Sequence, residues 1–416
     1  MLTVTKKKVQ SVEVEAPEVC QINVDLAGEF WSELPKEIIE KIVSMIPYPY
    51  ILNVRNLGKD WKSKFDETSF REMVKSTSID WPIYFPLFLE KSKRVLTGLD
   101  RRNGTWIKIC LEPAVDLKHP SVSNRESWEL AGCNTGTRIH PKNHIFVYNV
   151  ITRVSKLLPQ RVLRPCDYTF PGPVISASYK PIYMLPDGPE NYKVLYIVQV
   201  AGEPEDQVCT NLYESRSNSW TAKLSSLRPW DSAETAVIID TSSGVYLNGV
   251  VYLTSRRRRK NLQKLLEVWA YDVETGGWHL VLGPREFGSA RLMVCENQLL
   301  LFHHLNHSSA RLRNPELCKN SFILYKIDAL TRDCREIYRG PQESIPDASS
   351  SLYLSHGGSI FFGDFQKPTK YMMEFDVRNR KWSRFPSPSV SYENLFQCLS
   401  FSSFAFQPGQ NPFIVV

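Results

Sequence analysis

Three groups of residues in this 416-residue chain have types and spacing that could do chemistry. His303, His304 and His307 stand together in the run HHLNH, and clustered imidazoles are common ligands for zinc. Nine cysteines (Cys20, Cys110, Cys133, Cys166, Cys209, Cys295, Cys318, Cys334 and Cys398) could bind metal or pair as disulfides. Arg256, Arg257, Arg258, Arg259 and Lys260 form a cationic run that could hold an acidic partner or direct nuclear import.

The elements carrying these groups decide what they can do. The histidines end the apolar strand LLLFHH, where adjacent side chains face opposite sides, and only Cys295 and Cys318 lie nearby in sequence. That reads as a polar strand end, not a metal site. The cysteines are odd in number, scattered singly and never spaced C-x-x-C, which points to a reducing compartment. The basic run falls between the second and third strands of a repeat described below. A solvated loop, an import patch and a contact for an acidic protein all remain open for it. No G-x-S-x-G, P-loop, H-E-x-x-H or G-x-G-x-x-G has a supporting context, and AGCNTGT, with Gly132 and Gly136, reads as a loop. The sequence therefore predicts no catalytic residue, no metal and no cofactor.

Composition is that of a globular chain: 42% hydrophobic, 23% charged and 12% aromatic, with 20 glycines and 27 prolines. That mixture suits many short strands broken by turns. The net charge of +7 is spread along the chain and gives no reason to expect direct nucleic-acid binding. No run approaches the ~18 apolar residues of a membrane span. Residues 1–28 carry three early lysines without a following apolar stretch and read as a mobile tail, not a secretory signal.

From Trp31 the pattern turns helical. Pro35 suits the first position of a helix. Ile38, Ile39, Ile42, Val43, Met45 and Ile46 recur at helical spacing, and Pro47 and Pro49 end the helix. Tyr50, Ile51, Leu52 and Val54 suggest a second short helix, Trp61 and Phe65 a third, and Phe70, Met73 and Val74 a fourth. So small a unit buries little surface alone and needs a partner or a larger neighbour.

The order L-P-x-E-I-I-x-x-I, I-P, then R-x-L-G-K-x-W resembles the F-box. Leu34, Pro35, Glu37, Ile38, Ile39, Ile42, Ile46 and Pro47 match its first half, and Arg55, Leu57, Lys59 and Trp61 its second; Gly58 departs from the Cys or Ser common there. The resemblance implies docking onto a Skp1-type adaptor and through it a cullin. Leu34, Pro35, Ile38, Ile39, Ile42 and Pro47 are the residues expected at that surface.

The remainder repeats. A large residue, an acidic or amide residue, five positions and a tryptophan recur in LDRRNGTW (Asp100, Trp106), YESRSNSW (Glu214, Trp220), YDVETGGW (Asp272, Trp278) and FDVRNRKW (Asp376, Trp382). Two copies, at Asn149 and Asp328, keep the frame without tryptophan. Hairpins precede them, turning at Asn248-Gly249, Glu296-Asn297 and Gly357-Gly358. Each unit reads as a four-stranded propeller blade, its motif at the turn between third and fourth strands. There the acidic residue can hydrogen-bond turn amides and the tryptophan can pack between blades. Six copies give six blades, with Phe401–Gln407 expected to complete the first.

The expected fold is thus α+β and multidomain: a tail (1–28), a helical F-box (29–75) and a mainly antiparallel kelch-like β-propeller (76–416). The arrangement resembles the F-box/kelch receptors of land plants, in which the receptor positions a target protein for ubiquitination without catalysing transfer. A copper oxidase built on a kelch propeller is the enzymatic alternative, but its Tyr, His and Cys ligands find no counterpart here. The other reading is a nuclear co-regulator with the same two parts that does not direct turnover. Either would work in the nucleus or cytoplasm.

Overall fold

The structure, a computed structural model, describes residues 33–46, 50–55, 57–77, 83–90, 95–100, 104–110, 135–139, 145–149, 155–159, 182–186, 191–200, 207–227, 237–258, 264–285, 289–305, 321–341, 351–364 and 371–386. The expected tail, Pro47, Arg259, Lys260, His307, Cys318 and the expected C-terminal strand lie outside them.

Four short helices come first: α1 (Lys36–Ser44), α2 (Ile51–Arg55), α3 (Lys59–Asp66) and α4 (Thr68–Thr77). Pro35 stands one residue before α1 with extended backbone, and its carbonyl accepts the amides of Ile38 (2.9 Å) and Ile39 (3.2 Å). It therefore caps the helix it was expected to begin, because a proline at ψ 140° cannot itself be helical. The helix stops at Ser44, short of both prolines, with the Ser44 hydroxyl turned back onto the Lys41 carbonyl at 2.7 Å. Val43, Ile51, Phe65, Phe70 and Val74 bury the bundle's interior, with the Phe65 and Phe70 rings 5.1 Å apart. Thr77 ties α4 to α1 through the Ser44 carbonyl at 2.6 Å. No described helix is long and apolar enough to cross a membrane.

The rest is antiparallel sheet. Among the described residues, six sheets follow one another along the chain, and strands pair only with their sequence neighbours. Sheet one holds β1 (Ile83–Glu90), β2 (Val95–Asp100) and β3 (Thr105–Cys110); sheet two holds β4 (Thr135–Ile139), β5 (Ile145–Asn149) and β6 (Ser155–Leu157). Sheet three runs through β7 (Ile182–Pro186), β8 (Tyr192–Val200), β9 (Gln207–Glu214) and β10 (Ser219–Ser226). Sheet four has β11 (Val237–Leu247), β12 (Val250–Arg258), β13 (Lys264–Asp272) and β14 (Trp278–Arg285). Sheet five has β15 (Ser289–Cys295), β16 (Gln298–Leu305), β17 (Ser321–Asp328) and β18 (Asp333–Pro341). Sheet six has β19 (Ser351–His356), β20 (Ser359–Asp364), β21 (Tyr371–Asp376) and β22 (Lys381–Pro386).

The hairpin turns sit where their sequences placed them. Asn248 and Gly249 take φ of 50° and 84°, and Glu296 and Asn297 take 49° and 56°. Paired left-handed residues give the turn a twist that matches its strands. Sheets one and two show three strands each among the described residues, and the strand expected at Phe401–Gln407 lies outside them. Two expectations need correction. The run AGCNTGT, read as a loop, ends in β4, in which Gly136 pairs with Tyr148. The β-branched alternation of Thr135, Thr137 and Ile139 favours a strand there. The basic run is not all loop: Arg256, Arg257 and Arg258 belong to β12 and pair with Leu266, Leu265 and Lys264. Continuing the ladder satisfies backbone groups on both sides, since Ile238 and Val237 of β11 also pair with Arg256 and Arg257.

The core lies between sheets. Tyr183, Leu195 and Leu212 of sheet three meet Val251, Trp269 and Tyr271 of sheet four. Val268 and Leu282 of sheet four meet Leu292 and Leu301 of sheet five, and Phe302 and Phe322 of sheet five meet Phe362 and Phe375 of sheet six. Gly244 of β11 is forced by this packing, because a methyl group there would overlap the Tyr183 hydroxyl and the Leu253 side chain. Gly244→Ala should destabilise the protein by about 1–3 kcal/mol in urea unfolding. Gly283→Ala, where nothing lies within 4 Å, should stay within about 0.5 kcal/mol of wild type.

Candidate functional site

Helix α1 divides its apolar residues between two faces. Val43 turns into the bundle and is 7% exposed. Ile38, Ile42 and Met45 are 44%, 37% and 61% exposed, and the spacings of four and three residues stack them along one side of the helix. Pro35 is exposed, and Leu34 and Ile39 are half-buried. Tyr50 and Leu57, beyond the helix, are exposed as well. Five of the seven exposed large hydrophobic side chains among the described residues thus lie between Ile38 and Leu57. Of the three isoleucines expected at the docking surface, the structure turns Ile38 and Ile42 outward and half-buries Ile39. Met45 and Tyr50 join them, the first following the helical period and the second carrying no earlier signal.

Polar contacts hold that face in place from behind. Lys64 of α3 reaches Glu40 of α1 at 2.8 Å and Glu67 at 2.6 Å, and hydrogen bonds to these two carboxylates raise its pKa. The Trp61 ring stands edge-on to Phe70 at 6.3 Å. Lys59 is exposed at the start of α3.

The motif residues occupy corresponding turns. Asp272 Oδ1 accepts the amides of Glu274 (3.0 Å) and Thr275 (2.7 Å), and Asp328 Oδ1 accepts those of Leu330 (2.9 Å) and Thr331 (3.1 Å). Asp376 accepts the Asn379 amide at 2.8 Å. Glu214 differs: it pairs with Lys193 at 3.2 Å, while Ser215 Oγ accepts the Tyr192 amide at 2.9 Å. Asp100 is buried at the end of β2. Four residues beyond each of these acidic positions the backbone is left-handed, at Gly104, Asn218, Gly276, Arg332 and Arg380.

The tryptophans reach toward neighbouring sheets. Trp220 of sheet three donates its indole N–H to the Pro159 carbonyl just past sheet two at 2.8 Å, and Trp278 of sheet four donates to Thr210 of sheet three at 3.2 Å. Trp106 of sheet one donates to the carbonyl of Pro386, the last residue of sheet six. Trp382 packs among Phe322, Phe362 and Phe375.

The first three residues of the basic run are in β12, apart from any of these turns. His303 is buried on β16 with its ring 6.4 Å from that of Tyr325, and His304 pairs across the ladder with Phe322. Cys295 is buried, its Sγ 3.3 Å from the Gly357 carbonyl, and burial pushes its thiol up to about 12. Among the described residues no three His, Cys, Asp or Glu side chains converge as a metal site.

No protein-family model matches the chain. It is 22% identical over 381 residues to F-box only protein 6 of Arabidopsis thaliana, a match covering 90% of this chain and 73% of that protein. A putative F-box protein of the same plant is 23% identical over 291 residues, covering 67% of this chain and 72% of its own. Among solved structures, the β-propeller domain of the Trilobed protease from Pyrococcus furiosus aligns with 71% of this chain and 77% of its own, at 10% identity and a TM-score of 0.37.

The turn carboxylates make a pH dependence. The Thr275 amide, with the Glu274 amide, holds the Asp272 carboxyl below the usual range, and the Thr331 and Leu330 amides do the same for Asp328. A lowered folded-state pKa means stability that is complete above the unfolded value of about 3.9 and is lost as pH falls through the folded value. Stability from urea unfolding between pH 6 and pH 2.5 should fall less steeply below about pH 4 in the Asp272→Asn, Asp328→Asn double variant, which keeps both acceptor oxygens. Parallel curves would contradict this assignment.

Proposed function

We propose that this chain is the substrate-recognition subunit of an SCF-type ubiquitin ligase, a non-catalytic receptor. Residues 29–75 act as an F-box that docks a Skp1-type adaptor and, through it, a cullin; residues 76–416 hold the target protein. The observation that carries this reading is the outward apolar row of Ile38, Ile42 and Met45 on a helix whose opposite side, at Val43, already fills the bundle. An apolar row of that kind is what the core of a protein interface requires. Two matched proteins, at low identity, carry F-box in their names, which agrees with it.

For the larger part we propose a closed ring of six kelch-like blades. Trp278 donates to the sheet before its own, Trp220 to the carbonyl just past sheet two, and Trp106 to the end of sheet six. If the same contact is repeated all the way round, sheet six precedes sheet one. A rigid ring would present its target at a fixed distance from the transfer machinery, and proximity is then the receptor's whole contribution to the reaction.

Co-expression with a Skp1-type adaptor, followed by affinity capture of the chain, tests the docking half. Wild type should retain the adaptor. Ile38→Asp with Ile42→Asp should lose it, each change costing about 2 kcal/mol or more, or ~30-fold in Kd, with far-UV circular dichroism unchanged. A wild-type chain that captures no adaptor would end the ligase reading. Target half-life with and without proteasome inhibitor then separates degradation from non-degradative assembly.

A further inference from the structure

The left-handed position of the motif turn is filled unevenly. Gly104 and Gly276 occupy it without steric cost and Asn218 with little, but sheets five and six place Arg332 (φ 60°) and Arg380 (φ 54°) there. A long side chain in that backbone region is retained against a cost, which motivates asking what it does. Both arginines are exposed, as are Arg335, Arg378, Lys381 and Arg384 around them. Among the described residues none of the six takes part in a hydrogen bond or ion pair through its side chain.

These turns share one end of neighbouring sheets. The Glu296 amide donates to the Gly357 carbonyl at 3.1 Å, joining the first turns of sheets five and six, and the Val377 amide donates to Gly358 at 2.9 Å, joining the first and third turns within sheet six. The acidic residues of the two third turns are already engaged. Asp328 and Asp376 accept turn amides, Asp333 accepts the Cys334 amide at 2.8 Å, and Glu336 pairs with Arg339 at 2.6 Å. The same end carries an apolar anchor: Leu330 is 95% exposed, two residues before Arg332. Arg332 also borders a groove of about 400 Å³ along β14, floored by Leu280, Val281, Leu282 and Pro284, with Arg285 at its end.

We propose that the turn end of sheets five and six, with the groove beside β14, is a docking surface for an acidic segment of a partner protein. An apolar side chain of that segment would cover Leu330 or enter the groove. Its carboxylates would meet Arg332, Arg378, Arg380 and Lys381, whose guanidinium forks suit carboxylate geometry. Exposed cations without a side-chain ion pair, set around an exposed leucine, fit such a segment better than a nucleic acid, whose phosphate backbone offers nothing apolar for Leu330 or the groove. The inference rests on the reading that the sheets hold the target, and is independent of how α1 is used.

The probe is a fluorescein-labelled 15-residue peptide of glutamates with a leucine at every fourth position, titrated by anisotropy against the full chain. Arg332→Glu with Arg380→Glu should raise Kd at least ~10-fold at low salt. Leu330→Ser should raise it by ~3-fold or more without changing the salt dependence. A charge control on sheet three, Arg216→Glu with Lys223→Glu, should stay within ~2-fold. Adaptor retention by every variant would separate a failure here from a failure of the ligase reading. Equal losses in the control, equal binding of the glutamine version of the peptide, or tighter binding of a single-stranded RNA would each overturn the proposal. So would tighter peptide binding after deletion of residues 1–28, which would mean that the chain's own Glu13, Glu15 and Glu18 occupy the surface.

Discussion

The structure depends most on one small arrangement: an acidic side chain that folds a strand turn onto its own amides, followed by a tryptophan aimed at the neighbouring sheet. Asp272 is the clearest case, gathering the Glu274 and Thr275 amides while Trp278, six residues on, reaches Thr210. The turn is exposed to solvent, so what the carboxylate supplies is not missing hydrogen bonds but a fixed direction: by gathering two successive amides it sets where the returning strand begins. Once it does, the indole becomes both a packing surface and a donor that fixes the next sheet's distance. The apolar clusters between sheets three and four, four and five, and five and six then form around contacts of known spacing.

The helical unit works under the opposite constraint. Its interior is little more than Val43, Ile51, Phe65, Phe70 and Val74, too small to spend every apolar residue on itself. Ile38, Ile42 and Met45 remain on the surface at some cost in water. A chain that buries Phe302, Phe322, Phe362 and Phe375 so completely in its sheets, yet leaves these three uncovered, has a surface suited to a second protein.

Much of this was legible in the residues. Helical spacing over 36–46 and the turn pairs Asn248-Gly249 and Glu296-Asn297 are local signals, and local backbone preference decides them. The facing of individual isoleucines was not legible. Apolar residues at 38, 39, 42, 43, 45 and 46 form one continuous arc of about 160° at 100° per residue, so periodicity cannot say which edge of it faces the bundle. The strand at Thr135–Ile139 was missed because its glycine suggested a loop, while its pairing with β5 is set by tertiary context. The extension of β12 through Arg258 has the same cause: charge suggested solvent, but the ladder with β13 continues. The left-handed site before each tryptophan was also hidden, since arginine, asparagine and glycine do not look alike in a string.

Site-specific photo-crosslinking shows whether the outward row of α1 meets an adaptor. A benzophenone amino acid at position 42, and separately at position 62 on α3, would be irradiated in the full chain with a Skp1-type adaptor present. Docking through α1 gives a covalent adduct with the adaptor from position 42 and little from position 62. Adduct from neither position, or only from position 62, would contradict it and leave α1's apolar row to some other contact.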